Sequence, residues 1–244
     1  MNGPSLLRRA TCTRCWRPQA SCLCALAQPT AHRTEVLVLQ HPQEQRQPKN
    51  SAALLRLSLA RCEVVVGDRF APEALQALLH RSAGRACLLY PDMPAASPPP
   101  PALMLPPGVP LRLVVIDATW RKSLRMLFEH PALAGLPRLS LDAPPPTRYR
   151  AIRAARRANQ VSTLEATVQA LAVLEGPAFD GAPLLDAFGR FVEGLAQRHR
   201  QVGTGPTATT GGSPGPKAAP HLPDSHPSRS SRGCTPASRP ANDR

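Results

Sequence analysis

A carboxyl group, a hydroxyl group and an indole stand close together after a mostly apolar run at residues 111–116. They belong to Asp117, Thr119 and Trp120, and the basic residue Arg121 follows them. In open α/β sheets, ligands bind in the crevice beyond the carboxyl ends of the strands, so a carboxylate at such an end can reach a substrate. The simpler interpretation is that Asp117 or Thr119 caps the helix that begins near Trp120, because both residue types accept orphan backbone N–H bonds. The sequence therefore predicts that Asp117 and Thr119 either act on a ligand or cap the following helix.

Four of the seven cysteines lie near the N-terminus and have the spacing of metal ligands. Two close pairs of thiolates can supply the four ligands of a closed structural zinc site. The alternatives are a pair of redox motifs or a coincidental cluster. We expect a structural zinc site within residues 1–30, whereas Cys62 and Cys87 begin apolar strands and are expected in the core. The expected zinc ligands are Cys12, Cys15, Cys22 and Cys24.

Basic residues outnumber acidic ones, and the formal net charge of the chain is +14. A basic globular protein favours a polyanionic partner. A membrane partner is disfavoured because no apolar run approaches the roughly 20 residues of a membrane span. No secretory leader is recognisable at the N-terminus. We therefore expect a cytoplasmic protein that binds nucleic acid.

Residues 147–157 contain five arginines and one tyrosine but no acid. One guanidinium group can bind two oxygens of a phosphate at once, and a tyrosine ring offers a face on which a base can stack. The alternative is a solvated basic helix face. With the basicity of the whole chain, the cluster favours RNA contact. The candidate RNA-binding residues are Lys49, Arg121, Arg148, Tyr149, Arg150 and Arg153.

Ser162 and Glu165 precede an apolar helical pattern with the spacing of a capping box, in which each side chain bonds to the other residue's backbone N–H. A helix N-terminus can also receive an anion, so Thr163 is a candidate contact for a ligand carboxylate or phosphate. His41 and Glu44 follow a strand and are candidate acid–base groups. A lone histidine beside a proline is more often a loop residue.

Strands that alternate with helices surround these groups and predict βαβ units with a mostly parallel sheet. Residues 94–110 are rich in proline and predict a surface loop. Residues 201–244 have almost no large apolar side chain and predict a disordered tail. The folded domain is therefore expected at residues 31–200. The predicted strands are 34–40, 62–66, 86–90, 111–117 and 137–141, and the predicted helices are 52–60, 72–80, 120–128, 162–175 and 183–200.

The order of five short motifs resembles the DTW-domain family, over roughly residues 10–195. This family contains tRNA-uridine aminocarboxypropyltransferases. Thr147 stands where a serine is frequent in the family, which preserves a hydroxyl. The motifs are the two cysteine pairs, His41 to Glu44 with Lys49 to Ser51, Asp117 to Trp120, Arg148 to Arg150 with Arg153, and Ser162 to Ala166.

The resemblance implies a SPOUT-like α/β fold with a knotted C-terminal ligand site. It also implies transfer of the 3-amino-3-carboxypropyl group of S-adenosylmethionine to N3 of a tRNA uridine, with release of methylthioadenosine. The implied cofactors are S-adenosylmethionine as donor and structural zinc, and the implied partner is tRNA. No obligate protein partner is expected.

In this interpretation Asp117 removes the N3 proton as general base, and burial would favour that role. Thr119 orients Asp117 or a ligand group, Trp120 forms a wall of the adenosyl or base pocket, and Thr163 contacts the donor. Two other interpretations stay open. An S-adenosylmethionine-dependent RNA methyltransferase would differ only in the orientation of the donor. A non-catalytic zinc-containing RNA-binding module would explain the cysteines and arginines but not the acid at the strand end.

Overall fold

Five short apolar runs form one entirely parallel sheet in the computed structural model, which describes residues 10–81, 84–92, 100–104, 108–141 and 161–203. The strand order across the sheet is β2-β1-β4-β3-β5. Parallel strands require a crossover connection, and helices lie in the connections that follow β1, β2 and β4. The strands are β1 (Glu35–Gln40), β2 (Cys62–Val66), β3 (Arg85–Leu89), β4 (Leu111–Asp117) and β5 (Arg138–Leu139).

Helices cover both faces of the sheet and make a three-layered α/β/α arrangement. One apolar cluster joins side chains of α2, α6 and α7 to one sheet face. A second cluster joins α3, α4 and α5 to the other face. The helices are α1 (Pro42–Gln45), α2 (Ala52–Ser58), α3 (Pro72–Leu79), α4 (Trp120–Glu129), α5 (Pro131–Ala134), α6 (Thr163–Glu175) and α7 (Ala182–Gly203).

The central strand β1 shows why these runs are continuously apolar. Val36 and Val38 belong to the first cluster, whereas Leu37 and Leu39 belong to the second. All four side chains are buried, because a parallel sheet covered by helices has no solvent-facing side. Gln40 follows on the same face as Val36 and Val38, where the strand ends. The alternation therefore directs this polar side chain toward the layer of α2 and α6.

The connections that leave β1 and β4 lead to opposite sides of the sheet, so the strand order reverses between these two strands. From β1 the chain continues to β2 on one side, and from β4 it continues past β3 to β5 on the other side. Neighbouring connections that diverge in this way leave a crevice beyond the carboxyl ends of the two strands, where ligands bind in open α/β sheets. Gln40 and Asp117 are register partners at these ends. The fold thus places Asp117 beside the crevice.

Ion pairs connect the strands at the opposite end of the sheet, where their amino ends lie. Arg112 is buried near the start of β4, and its guanidinium nitrogens lie 2.7 Å from Glu35 and 3.0 Å from Glu63. These pairs join the starts of three neighbouring strands. Charge is therefore neutralised at the amino edge of β1, β2 and β4.

The expected α/β class is confirmed, and the sheet is entirely rather than mostly parallel. Strand β5 pairs with β3 at only two residues, so it is shorter than the predicted run at 137–141. The short helices α1 and α5 were not predicted, because four residues show no helical periodicity. Residues 201–203 of the predicted tail belong to α7 instead, and the rest of that tail and most of the proline-rich loop lie outside the described residues. Within the described ranges, no helix has both the length and the apolarity needed to cross a membrane.

Candidate active site

The carboxylate of Asp117 is buried, with 5% of the residue exposed, and it accepts hydrogen bonds from three side chains of different elements. Its Oδ2 accepts from Nε2 of Gln40 at 2.8 Å and from Nδ2 of Asn50 at 2.6 Å. Its Oδ1 accepts from the hydroxyl of Thr163 at 2.6 Å. An ionised carboxyl group offers about four acceptor positions, and the side chains of the described residues occupy three of them.

Each of these donors is held by its own local structure. Gln40 ends β1, and its amide also donates to Oδ1 of Asn50 at 3.1 Å. The same Asn50 oxygen accepts from the backbone N–H of Ala52 at 3.0 Å, which fixes the side chain at the start of α2. The network is therefore rigid on the side of β1 and α2.

Thr163 is the first residue of α6, and a capping box determines where that helix begins. The backbone N–H of Glu165 donates to Oγ of Ser162 at 3.1 Å, and the N–H of Ser162 donates to Oε2 of Glu165 at 2.9 Å. The predicted capping box is thus confirmed. It places the Thr163 hydroxyl against Asp117, so the helix start completes the polar network.

The helix-cap interpretation of Asp117 and Thr119 is wrong. The described contacts of the Asp117 carboxylate are to side chains on β1, before α2 and on α6, not to the backbone of α4. Thr119 occupies the N-cap position of α4, but its side chain makes no capping bond. Neither side chain is explained by helix termination, so both remain available for a functional interpretation.

Trp120 follows at the first turn of α4, and 54% of it is exposed. Its ring stacks on Tyr90 with a centroid distance of 5.4 Å and an interplanar angle of 14°. Tyr90 is buried directly after β3, and its hydroxyl lies 3.3 Å from Oγ of Ser123. Burial raises the pKa of the Tyr90 phenol, so the ring stays neutral. Tyr90 therefore supports the indole from behind and leaves Trp120 available as a pocket wall.

His41 and Glu44 have structural contacts that account for their positions. Nδ1 of His41 accepts from the backbone N–H of Gln43 at 3.1 Å and caps α1. Its Nε2 lies 3.8 Å from Asp68, and Glu44 lies 3.7 Å from Nζ of Lys122. The cap and the two ion-pair contacts therefore give both side chains a structural role.

The structure describes two of the six predicted RNA-binding residues. Lys49 is half-buried in the turn directly before Asn50. Arg121 is exposed in the first turn of α4, next to Trp120. Both flank the crevice beyond β1 and β4. The remaining four, Arg148, Tyr149, Arg150 and Arg153, lie outside the described residues.

The four N-terminal cysteines form a compact cluster in which every sulfur lies within 4.8 Å of the others. Cys12 Sγ lies 3.7 Å from Cys24 Sγ, and Cys15 Sγ lies 3.7 Å from Cys22 Sγ. Zinc with Zn–S bonds of about 2.3 Å in a tetrahedron separates its sulfurs by about 3.8 Å. The donor set and its spacing therefore fit a structural zinc ion.

The thiols of the cluster differ in acidity. Hydrogen bonds from the backbone N–H groups of Cys15 and Arg14 lower the pKa of Cys12 to about 6. Desolvation raises the pKa of Cys24 to about 12. Four adjacent thiolates repel one another, and a bound divalent cation removes that repulsion by coordinating them in ionised form.

Arg17 connects the cysteine loop, residues 12–24, to the active-site network. Its guanidinium donates to the carbonyl of Pro48 at 2.6 Å, to that of Asn50 at 3.3 Å and to that of Ser21 at 3.1 Å. The segment that presents the Asn50 amide to Asp117 is therefore tied to the cysteine loop. Sequence reasoning missed this link, because nothing in the spacing of Arg17 and Asn50 predicts their contact.

Trp16 of the cysteine loop has a strained backbone. Its φ angle is 59°, in the left-handed region where a side chain costs about 1–2 kcal/mol. The ring is 54% exposed, and the guanidinium carbon of Arg56 lies 4.0 Å from its centroid. Arg56 also donates to the carbonyl of Arg14. The indole is thus held at the surface by a stacked cation rather than by the core.

Comparison with known proteins gives a consistent set of relatives. The sequence profile of the DTW domain matches residues 9–196. The chain is 36% identical over 174 residues to tRNA-uridine aminocarboxypropyltransferase 2 of Drosophila melanogaster, covering 69% of this chain and 68% of that protein. It is 30% identical to the Macaca fascicularis protein of the same name, covering 69% of this chain and 57% of that protein. It is 31% identical over 158 residues to tRNA-uridine aminocarboxypropyltransferase A of Arabidopsis thaliana, covering 55% of this chain and 58% of that protein. No solved structure matches the chain.

Proposed function

Because this chain belongs to the DTW-domain family, we propose that it transfers the 3-amino-3-carboxypropyl group of S-adenosylmethionine to N3 of a uridine in tRNA. The names of its relatives support this activity. The observation that carries the proposal is the hydrogen-bonded carboxylate of Asp117 at the crevice beyond the carboxyl ends of β1 and β4. An RNA-binding module without chemistry has no need for such a group.

The reaction balances with one proton acceptor on the protein. N3 of uridine loses its proton to the carboxylate of Asp117, and the N3–Cγ bond forms while the Cγ–S bond breaks. The electron pair of that bond neutralises the sulfonium, so methylthioadenosine leaves without needing a proton. General-base catalysis of this kind contributes about 10²–10⁴-fold to a rate. The remaining acceleration comes from holding N3 in line with the γ-carbon rather than the methyl group.

The neighbouring residues have positioning roles in this proposal. Thr163 and the amides of Gln40 and Asn50 fix the orientation of the Asp117 carboxylate. The Tyr90–Trp120 stack provides a flat apolar wall for the adenosyl group or the uracil ring. Thr119 has a hydroxyl that is not used for capping and is available to a ligand group.

The finer architecture belongs to the same proposal. We propose that the fold is SPOUT-like with a knotted C-terminal donor site, and the contact of Thr163 at the start of α6 with Asp117 at the end of β4 supports a site at this end of the sheet. The predicted zinc-binding segment 1–30, catalytic domain 31–200 and tail 201–244 are retained as proposed boundaries, with a cytoplasmic location. Zinc would be held by the four cysteines in a structural role.

The test is a transfer assay with two forms of the donor. Purified protein and unfractionated tRNA are incubated with S-adenosylmethionine labelled either in its carboxypropyl chain or in its methyl group. We expect label in tRNA only from the carboxypropyl-labelled donor. Label from the methyl group alone would identify a methyltransferase on the same scaffold. Tight tRNA binding with no label from either donor would indicate a non-catalytic RNA-binding module.

A further inference from the structure

A cleft between the cysteine loop and α2 has no role in the chemistry proposed above. It adjoins the Asp117 network, because two of the amides in its lining also donate to that carboxylate. The lining combines an indole, two guanidinium groups and three amides, which are groups that stack on bases and bind phosphates. The residues concerned are Trp16, Arg17, Gln40, Gln45, Asn50 and Arg56.

Trp16 has the properties of a preformed stacking surface. Its strained φ of 59° and its 54% exposure show that neither backbone preference nor core packing explains a tryptophan here. The guanidinium of Arg56 stacks on the ring and fixes its plane. A rigid exposed indole beside a cation is the arrangement with which proteins bind successive bases of a single strand.

The charge around the cleft is complementary to a phosphate backbone. The first 34 residues of the chain contain no acid. Arg14 is exposed next to Trp16, and Arg46 is exposed next to Gln45. A partner with both negative charges and flat aromatic rings would form ion pairs with the arginines and stack on the indole. Single-stranded RNA has both features, in its phosphates and its bases.

We propose that this cleft binds one nucleotide of the RNA strand beside the target uridine, with its base stacked on Trp16 and its phosphate at Arg56. The inference rests on the proposed function, since it requires an RNA substrate. It gives the cysteine loop a second role: zinc holds the loop in shape, and Trp16 presents part of the substrate site. Arg17 then holds the cysteine loop against the segment that carries Asn50.

The experiment compares Trp16→Ala, Trp16→Gly and Arg56→Gln with the wild-type chain, each full-length and with its zinc content measured. Arg85→Gln is the matched control, because Arg85 is exposed at the opposite, amino edge of the sheet. Affinity for tRNA is measured without donor, and KM values follow in the transfer assay. We expect both Trp16 variants to weaken tRNA binding about tenfold, since stacking contributes substantially to the binding of each base. Arg56→Gln should weaken binding and reduce its salt dependence.

The Trp16→Gly variant separates binding from folding. Glycine adopts positive φ without strain, so this variant should keep its zinc and its melting temperature while losing RNA affinity. The KM for the donor should stay unchanged in all variants. Zinc-loaded Trp16 and Arg56 variants that bind tRNA like the wild type would overturn the inference. If the wild type binds tRNA through Trp16 but transfers no group, the proposed function fails and the cleft assignment stands.

Discussion

Replacement of Asp117 by asparagine separates the basicity of this residue from its role in holding the network together. An asparagine oxygen at the position of Oδ2 still accepts from Gln40 and Asn50, and its amide nitrogen donates to the Thr163 hydroxyl. Three hydrogen bonds to an ionised group, each worth about 1.5–3 kcal/mol, then become three neutral bonds of about 0.5–1.5 kcal/mol each. Taken end for end, the three bonds weaken by about 3–4.5 kcal/mol in total, and the lower cost of burying a neutral amide in place of a carboxylate offsets part of this loss.

Asp117→Ala is the contrasting variant. It leaves the buried amide donors of Gln40 and Asn50 without their acceptor, at a cost of about 1–3 kcal/mol for each. The total of about 2–6 kcal/mol is a large part of the 5–15 kcal/mol that typically stabilises a domain. We therefore expect the alanine variant to be partly unfolded and the asparagine variant to stay folded.

The assay combines urea denaturation, tRNA affinity and the transfer rate. Asp117→Asn should keep tRNA affinity within about threefold of the wild type and lose at least about 100-fold in transfer rate, because it removes the proton acceptor. A folded Asp117→Asn variant with near-normal transfer would refute the assignment of Asp117 as general base. Loss of transfer in the alanine variant alone would show that Asp117 only holds its neighbours in place.

Three further changes test the supporting parts of the site. Thr163→Val removes one hydrogen bond to Asp117 at constant shape, so kcat should fall about tenfold with a stability loss of about 1–2 kcal/mol. Thr163→Ser should restore the rate, and an active valine variant would contradict the positioning role. Tyr90→Leu removes the ring behind Trp120, and the KM for S-adenosylmethionine should rise about fivefold because aromatic pairs contribute about 0.5–1.5 kcal/mol. An unchanged KM for both donor and tRNA would exclude Trp120 as a pocket wall. Cys15→Ser removes the buried ligand of the cysteine cluster, so bound zinc and the melting temperature should both fall. Wild-type zinc content in that variant would disprove the tetrathiolate site.

The elements that position the site were predictable because their signals are local. Hydrophobic runs indicate β1 and β4, and the spacing of Ser162 and Glu165 indicates the start of α6. The position of Asp117 at a strand end followed from the same patterns. The convergence of the four cysteines was predictable because their short spacing limits how far apart the thiols can lie.

The partners of Asp117 could not be read from the sequence. Gln40, Asn50 and Thr163 are separated from it by 77, 67 and 46 residues, and they meet it only because of the strand order. Tyr90 likewise meets Trp120 because β3 and β4 are neighbours, although the proline-rich segment separates them in sequence. Nonlocal contacts of this kind depend on topology, which hydrophobic periodicity does not encode.

The mass of the nucleosides released from tRNA after reaction tests the central claim most directly. Zinc-loaded wild-type protein, tRNA and S-adenosylmethionine are incubated together, the tRNA is digested, and each uridine derivative is fragmented in a mass spectrometer. We predict one derivative that carries a 3-amino-3-carboxypropyl group on its base, absent from the reaction with Asp117→Asn. Only unmodified or methylated uridine from the folded wild-type protein would contradict the account.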